Sequence, residues 1–133
     1  MDTKMVKCGH RALIVWQRAM ELARESHRLA GRLPKDERFA LANQIRRAAS
    51  SIPANIAEGN GQLYRRAFTR HLSIARGSLM ELDTHLELAV MTGYLTPRDI
   101  APALALIGHV ARLLAGLTKS LASPPLPPSN VSV

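Results

Sequence analysis

The chain has 133 residues, 47% apolar and 4% aromatic, with a formal net charge of +8 and a single cysteine, Cys8. One domain with an aliphatic, alanine-rich core fits these numbers, while a disulfide framework, a cysteine zinc site and rows of stacking aromatics for single-stranded bases do not. The positive balance favours a polyanion, an acidic protein or an anionic membrane surface as partner, without choosing among them.

Residues 1–10 read as a disordered N-terminal segment. Charges at Asp2, Lys4, Lys7 and Arg11 interrupt it, so no signal peptide is expected. No stretch is read as approaching the roughly 18 apolar residues of a membrane span. The expectation is a soluble, cytoplasmic protein with no membrane partner. A four-helix domain is expected over residues 11–122. Its first helix carries two apolar stripes, Leu13, Trp16, Met20, Ala23 and Val15, Ala19, Leu22, Leu29. His27 falls on this apolar side and is expected to be packed. Gly31 and Pro34 end the helix.

Asp36 is a plausible N-cap for the second helix. Its seam is Leu41, Ile45, Ala48, Ile52, Asn55, Gly59, alternating four and three residues as in a bundle. Pro53 cannot donate to the carbonyl of Ala49, so a kink near Ser50 and Ser51 is expected, their hydroxyls helping the freed carbonyls. Such a kink is either a curved helix around a core or a hinge. Asn55 on the seam reads as a satisfied amide that fixes register, against the alternative of a ligand contact. Gly59-Asn60-Gly61 follows a helix rather than opening one after a strand. It is expected to be a helix stop and turn rather than a phosphate cradle. Glu58 sits near a helix C-terminus, where its charge is unfavourable. It reads either as paired with Arg76 or another protomer's arginine, or as a solvated carboxylate.

The third helix runs to about Thr92 with the heptad stripe Phe68, Leu72, Ala75, Leu79, Leu82, Leu86, Ala89, and Gly93 closes it. Arg65, Arg66, Arg70 and Arg76 crowd its N-terminal half, and Glu81, Asp83 and Glu87 its C-terminal half. Both placements oppose the helix macrodipole. Acidic ends meeting basic ends across subunits would explain this order. So would an arginine patch for a polyanion, built with Arg46 and Arg47. Thr96 caps the fourth helix, with Pro97 in its first position and a seam of Ile100, Ala103, Ile107, Val110, Leu114, Leu117, Leu121. Pro102 predicts a bend or a later start. Residues 123–133, "SPPLPPSNVSV", read as an extended proline-rich tail.

No strand alternation appears, and the connections are short. The fold class is therefore all-α, an up-down-up-down antiparallel four-helix bundle. The apolar flanks are wide, which points to self-association or to a thicker single core. The five histidines make no HExxH and no di-iron Glu-x-x-His pair; Glu81 and His85, four apart, read as a helix-surface hydrogen bond. No nucleophile elbow, Walker motif or dinucleotide fingerprint is present. No catalytic residue, metal, cofactor or small-molecule substrate is expected, and the protein reads as a non-enzyme.

"LIVWQRAMELA" (13–23), "LANQIRRAASSIPANIAEGNG" (41–61) and "HLSIARGSLMELDTHLELAVMTGYL" (71–95) resemble the four-helix bundle proteins encoded within intervening sequences of bacterial 23S ribosomal RNA genes. The resemblance covers about residues 12–121. A related accessory protein of diversity-generating retroelements is a basic pentameric barrel that binds the reverse transcriptase and nucleic acid. The resemblance thus implies a homopentamer. It also implies that Asn55, Glu58, Arg76, Ser78 and Glu81 form a polar network for the fold or subunit contact. The reading that follows is a homo-oligomer touching RNA, DNA or a nucleic-acid-bound protein through Arg46, Arg47, Arg65, Arg66 and Arg70. Its rival is a structural scaffold whose arginines serve subunit salt bridges.

Overall fold

A computed structural model of the protein describes residues 9–122. The expected disordered segment lies outside these residues except for Gly9 and His10, and the proline-rich tail lies wholly outside them. The described residues form four α-helices and no strand: α1 (Ile14–Ala30), α2 (Leu41–Asn60), α3 (Arg65–Met91) and α4 (Pro97–Ala122). Short 3-10 turns precede α1 at His10–Ala12 and α2 at Lys35–Glu37. α2 packs on α1 and α3, and α4 packs on α1 and α3, so the helices stand at four corners of one core.

The heptad stripes become that core. All seven residues of the α3 stripe are buried, as are Leu41, Ile45, Ala48 and Ile52 of α2 and Ile100, Ala103, Ile107, Val110 and Leu114 of α4. Each such leucine or isoleucine contributes about 1.5–3 kcal/mol on burial. The two stripes of α1 separate. Val15, Ala19, Leu22 and Leu29 are buried, whereas Leu13, Trp16 and Ala23 are half-buried and Met20 is exposed. His27 is exposed and meets Ser50 Oγ at 3.1 Å rather than packing inside.

Helix ends follow backbone chemistry, with two corrections. Asp36 does not cap α2. It lies in the 3-10 turn, and α2 starts at Leu41 after Ala40, with no side-chain cap. Pro102 does not delay α4, which runs unbroken from Pro97. So near the N-terminus, the missing N–H removes a single intrahelical bond. Thr96 does cap α4, and Asp99 answers it. The Asp99 N–H donates to Thr96 Oγ1 at 3.1 Å and the Thr96 N–H donates to Asp99 Oδ2 at 2.8 Å, a capping box. Arg32 Nη1 reaches Asp99 Oδ1 at 2.9 Å, tying the end of α1 to the start of α4. Gly93 closes α3 with φ +83°, where a side chain would be strained.

α2 also runs unbroken through Pro53. The hydroxyls of Ser50 and Ser51 turn to His27 and Ser78. Gly59-Asn60-Gly61 ends α2 as expected: the helix runs to Asn60 and Gly61 is its C-cap, while Gly59 itself lies inside the last turn. A Cβ at Gly59 would lie 2.7 Å from His71 Cβ and 3.0 Å from Phe68 Cδ1. The glycine is the point where α2 and α3 approach closely. Gly77, in the middle of α3, is the opposite case: a Cβ there would meet nothing within 4 Å. Glycine inside a helix costs about 0.5–1 kcal/mol relative to alanine, and nothing among the described residues requires it at position 77.

α4 corrects a further expectation. An 18-residue window has mean hydropathy 1.7, so the helix is long and apolar enough to cross a membrane, although 28% of that window is buried in the bundle. Leucine, isoleucine, valine and alanine give it this character, and its core side chains pack against α1 and α3.

Two outcomes follow. Gly59→Ala is expected to lower unfolding free energy by about 1–3 kcal/mol, measured by urea titration, with helical circular dichroism retained below the transition. The Thr96 N–H and then Arg32 hold the Asp99 carboxyl below its usual value. Its contribution is complete above the ordinary aspartate value of about 3.9 and is lost as pH falls through the lowered one. Asp99→Asn should therefore flatten the acid limb of stability against pH.

Candidate functional site

Two polar features stand out on this frame. The first is a strip along the α2–α3 seam. It begins beside Gly59, where His71 Nδ1 lies 3.2 Å from Asn55 Oδ1 and 4.0 Å from Glu58 Oε2. Asn55 Nδ2 donates to the Ser51 carbonyl at 2.8 Å and to Ser51 Oγ at 3.0 Å. Ser51 Oγ meets Ser78 Oγ across the helices at 2.8 Å. The strip then opens into a cleft of about 410 Å³ lined by Gln44, Arg47, Ala48, Ser51, Ser78, Glu81 and His85. There His85 Nε2 and Glu81 Oε1 are 3.3 Å apart, the expected helix-surface bond. His85 Nδ1 is buried with no partner.

Four residues of the expected polar network, Asn55, Glu58, Ser78 and Glu81, therefore lie on one seam. Arg76 does not. It lines the groove between α3 and α4, with Lys119 and Thr118, and Glu58 meets His71 in its place. His71 and Ser51 complete the strip and were not part of the expected network. Their signal was helical spacing: Ser51, Asn55 and Glu58 follow one another by four and three residues on α2.

The second feature is the charge distribution along the bundle. The first half of α1 shares a groove with the second half of α2, through Trp16, Met20, Pro53 and Ala57. The end of α2 meets the start of α3 at Gly59 and Phe68. The start of α3 meets the end of α4, where Arg65 Nη2 donates to the Ser120 carbonyl at 3.2 Å and to the Leu121 carbonyl. The half built from residues 9–22, 51–77 and 109–122 carries eight arginines and lysines against two glutamates. The other half of the described residues carries eight against seven. Arg11, Arg18, Arg65, Arg66, Arg70, Arg76, Arg112 and Lys119 make one end of the molecule basic.

The five arginines expected to form one patch are divided by this arrangement. Arg65, Arg66 and Arg70 lie at the basic end. Arg47 lines the cleft opposite Glu81, and Arg46 is its neighbour on α2. Along α3, Glu81 and Arg70 are eleven residues apart, so the two groups stand about 16 Å apart along the helix axis. Arg65 is engaged with α4 carbonyls. Those carbonyls carry the negative end of the α4 dipole, which offsets the unfavourable position of Arg65 on its own helix. Among the described residues, no group of three or more His, Cys, Asp or Glu side chains is placed to hold a metal ion.

The class defined by these observations is an all-helical, four-helix protein with a polar seam and a basic end. Residues 11–116 match the profile of the 23S rRNA-intervening sequence protein family, and the chain belongs to that family. A crystal structure of a protein of unknown function from the S23 ribosomal protein family of Bacteroides thetaiotaomicron VPI-5482 is similar. It shares 28% identity and a TM-score of 0.74, over 80% of this chain and 99% of that one. No curated protein matches the chain.

Asn55→Leu removes the amide that serves Ser51 and His71 together. It is expected to cost about 1–3 kcal/mol, read from denaturant midpoints, with more loss than Glu58→Gln at the exposed end of the strip.

Proposed function

We propose that this protein is a non-enzymatic, homo-oligomeric, up-down-up-down antiparallel four-helix bundle whose basic end contacts nucleic acid or a nucleic-acid-bound protein. It acts in the cytoplasm without a cofactor or small-molecule substrate. The observation that carries the reading is the one-sided charge, with nearly all of the excess positive charge of the described residues at the end where α2 turns into α3. Lysines and arginines gathered on one face are the electrostatic footprint of a phosphate-binding surface. Arg66, Arg112 and Lys119 are the central contacts. Arg46 and Arg47, at the far half, stand apart from it. The resemblance to the pentameric accessory protein of diversity-generating retroelements supports a ring of five copies and a nucleic-acid partner.

A second reading is favoured by the hydrogen bonds from Arg65 to Ser120 and Leu121. An arginine of the expected set serves the fold, and a scaffold without nucleic-acid binding would use its neighbours likewise.

The test is titration of the full chain with single-stranded and folded RNA across a salt series. Log affinity should fall linearly with log salt, by about 0.7–0.9 per phosphate contact. Joint reversal of Arg66, Arg112 and Lys119 to glutamate should flatten that slope and abolish binding at moderate salt, while reversal of Arg46 and Arg47 leaves it nearly unchanged. Salt-independent binding, or none at low salt, would remove the electrostatic reading. Loss of the oligomer alone would favour the scaffold.

A further inference from the structure

The cleft on the α2–α3 seam, away from the basic end, holds more hydrogen-bonding capacity than the fold uses. Buried Ala48 and Ser78 floor it, and exposed Gln44, Arg47 and Glu81 form its rim. At the floor, Ser51 Oγ already accepts from Asn55 Nδ2 and shares one hydrogen bond with Ser78 Oγ. Two hydroxyls carry two protons, and that bond uses one. Among the described residues neither serine hydroxyl has another acceptor, so one proton is left over whichever serine donates.

The rim adds two charges of opposite sign that do not meet. Arg47 on α2 and Glu81 on α3 line facing walls, but no ion pair joins them, and Arg47 has no other among the described residues. His85 Nε2 engages Glu81 through Oε1 at 3.3 Å, which leaves Oε2 open. A ligand that completes this set brings an anionic group to Arg47 and the spare hydroxyl proton, and a cationic N–H group to Glu81. A phosphate or a lone carboxylate serves the first pair and is repelled by Glu81; an amine alone does the reverse. An ammonium and a carboxylate on one carbon meet both, and that pair belongs to a free α-amino acid, because a peptide holds its two ends apart. At about 410 Å³ the cleft lies near the small end of ligand pockets, about 300–1,000 Å³. Its polar walls suit a small polar side chain better than a large apolar one.

We propose that this cleft is a binding site for a free α-amino acid with a small polar side chain. Arg47 and the serine hydroxyl take its carboxylate, and Glu81 Oε2 takes its ammonium while His85 keeps hold of the other oxygen. The site lies outside the phosphate-binding set of Arg66, Arg112 and Lys119, so it goes beyond the nucleic-acid reading and does not depend on it. A ligand held between α2 and α3 stabilises the folded chain by mass action.

The experiment is calorimetric titration of the full chain with L-serine, L-asparagine, L-glutamine and L-leucine, with Tm followed alongside. At least one of the polar three should bind saturably and raise Tm, and L-leucine should bind more weakly. The N-acetyl and methyl-ester forms of the tightest binder should each lose about tenfold or more in affinity, the loss expected when a charge-assisted hydrogen bond is removed. Arg47→Met and Glu81→Gln should each weaken binding to a similar degree, and Arg46→Met should leave it unchanged. Both rim residues are exposed, so circular dichroism and Tm without ligand should stay at wild-type values. No saturable binding by the three polar amino acids overturns the proposal, as does equal binding of the N-acetyl or ester form, or undiminished binding by both variants. A ligand-free Tm lowered in both variants, with no amino acid bound by the wild type, would mark Arg47 and Glu81 as an ion pair of the fold and overturn it too. RNA titration of Arg47→Met separates the two sites: an RNA affinity that falls while amino-acid binding does not returns Arg47 to the phosphate-binding set and overturns the proposal.

Discussion

The close approach of α2 to α3 is the constraint on which the rest of the molecule depends. At Gly59 the helix backbone lies against His71 and Phe68 with no room for a methyl group. That distance brings Asn55 within hydrogen-bond reach of His71 and Ser51 within reach of Ser78. The polar strip then works as a ruler. Hydrophobic side chains tolerate sliding, whereas an amide and a hydroxyl tied across two helices have one satisfied register, and losing it would strand buried polar atoms. The isoleucines and leucines on either side supply most of the stabilisation, and the strip decides which alignment receives it.

Electrostatics follows from the same alignment. Viewed alone, α3 carries its charges the wrong way round for its own dipole. In the bundle its arginine-rich start lies beside the end of α4, whose last carbonyls accept hydrogen bonds from Arg65. One helix's unfavourable end is thus placed against another's complementary end. The arrangement concentrates the net positive charge of the described residues on the half that contains the α2–α3 turn.

Much of the fold was legible in the sequence. The unbroken stripe from Phe68 to Ala89 is too regular for any element but a helix, and Thr96-Pro97 and Gly93 mark boundaries by backbone chemistry alone. Asp36 was misread because a good capping residue says nothing about whether the chain turns again before the helix begins. The end of α2 at Gly61 was legible as well, but the role of Gly59 within the last turn was not, because a glycine that ends a helix and one that admits a neighbouring helix have the same local sequence; only the partner at Phe68 and His71 tells them apart. The arginines were grouped by type. Arg46 and Arg47 lie on a different half of the bundle from Arg65, Arg66 and Arg70, a separation set by the direction of α2 against α3. The cleft at Gln44, Ser51 and His85 needs both walls present before it exists, so no single segment announces it.

One consequence of the uneven charge concerns how the molecule meets its surroundings. A rod with its excess cations at one tip has a large permanent dipole. In the field of a polyanion it turns before it touches, so encounters are steered tip-first and become faster as ionic strength falls. Its flanks, including the outward side of α3, face away from the tip that leads such an encounter.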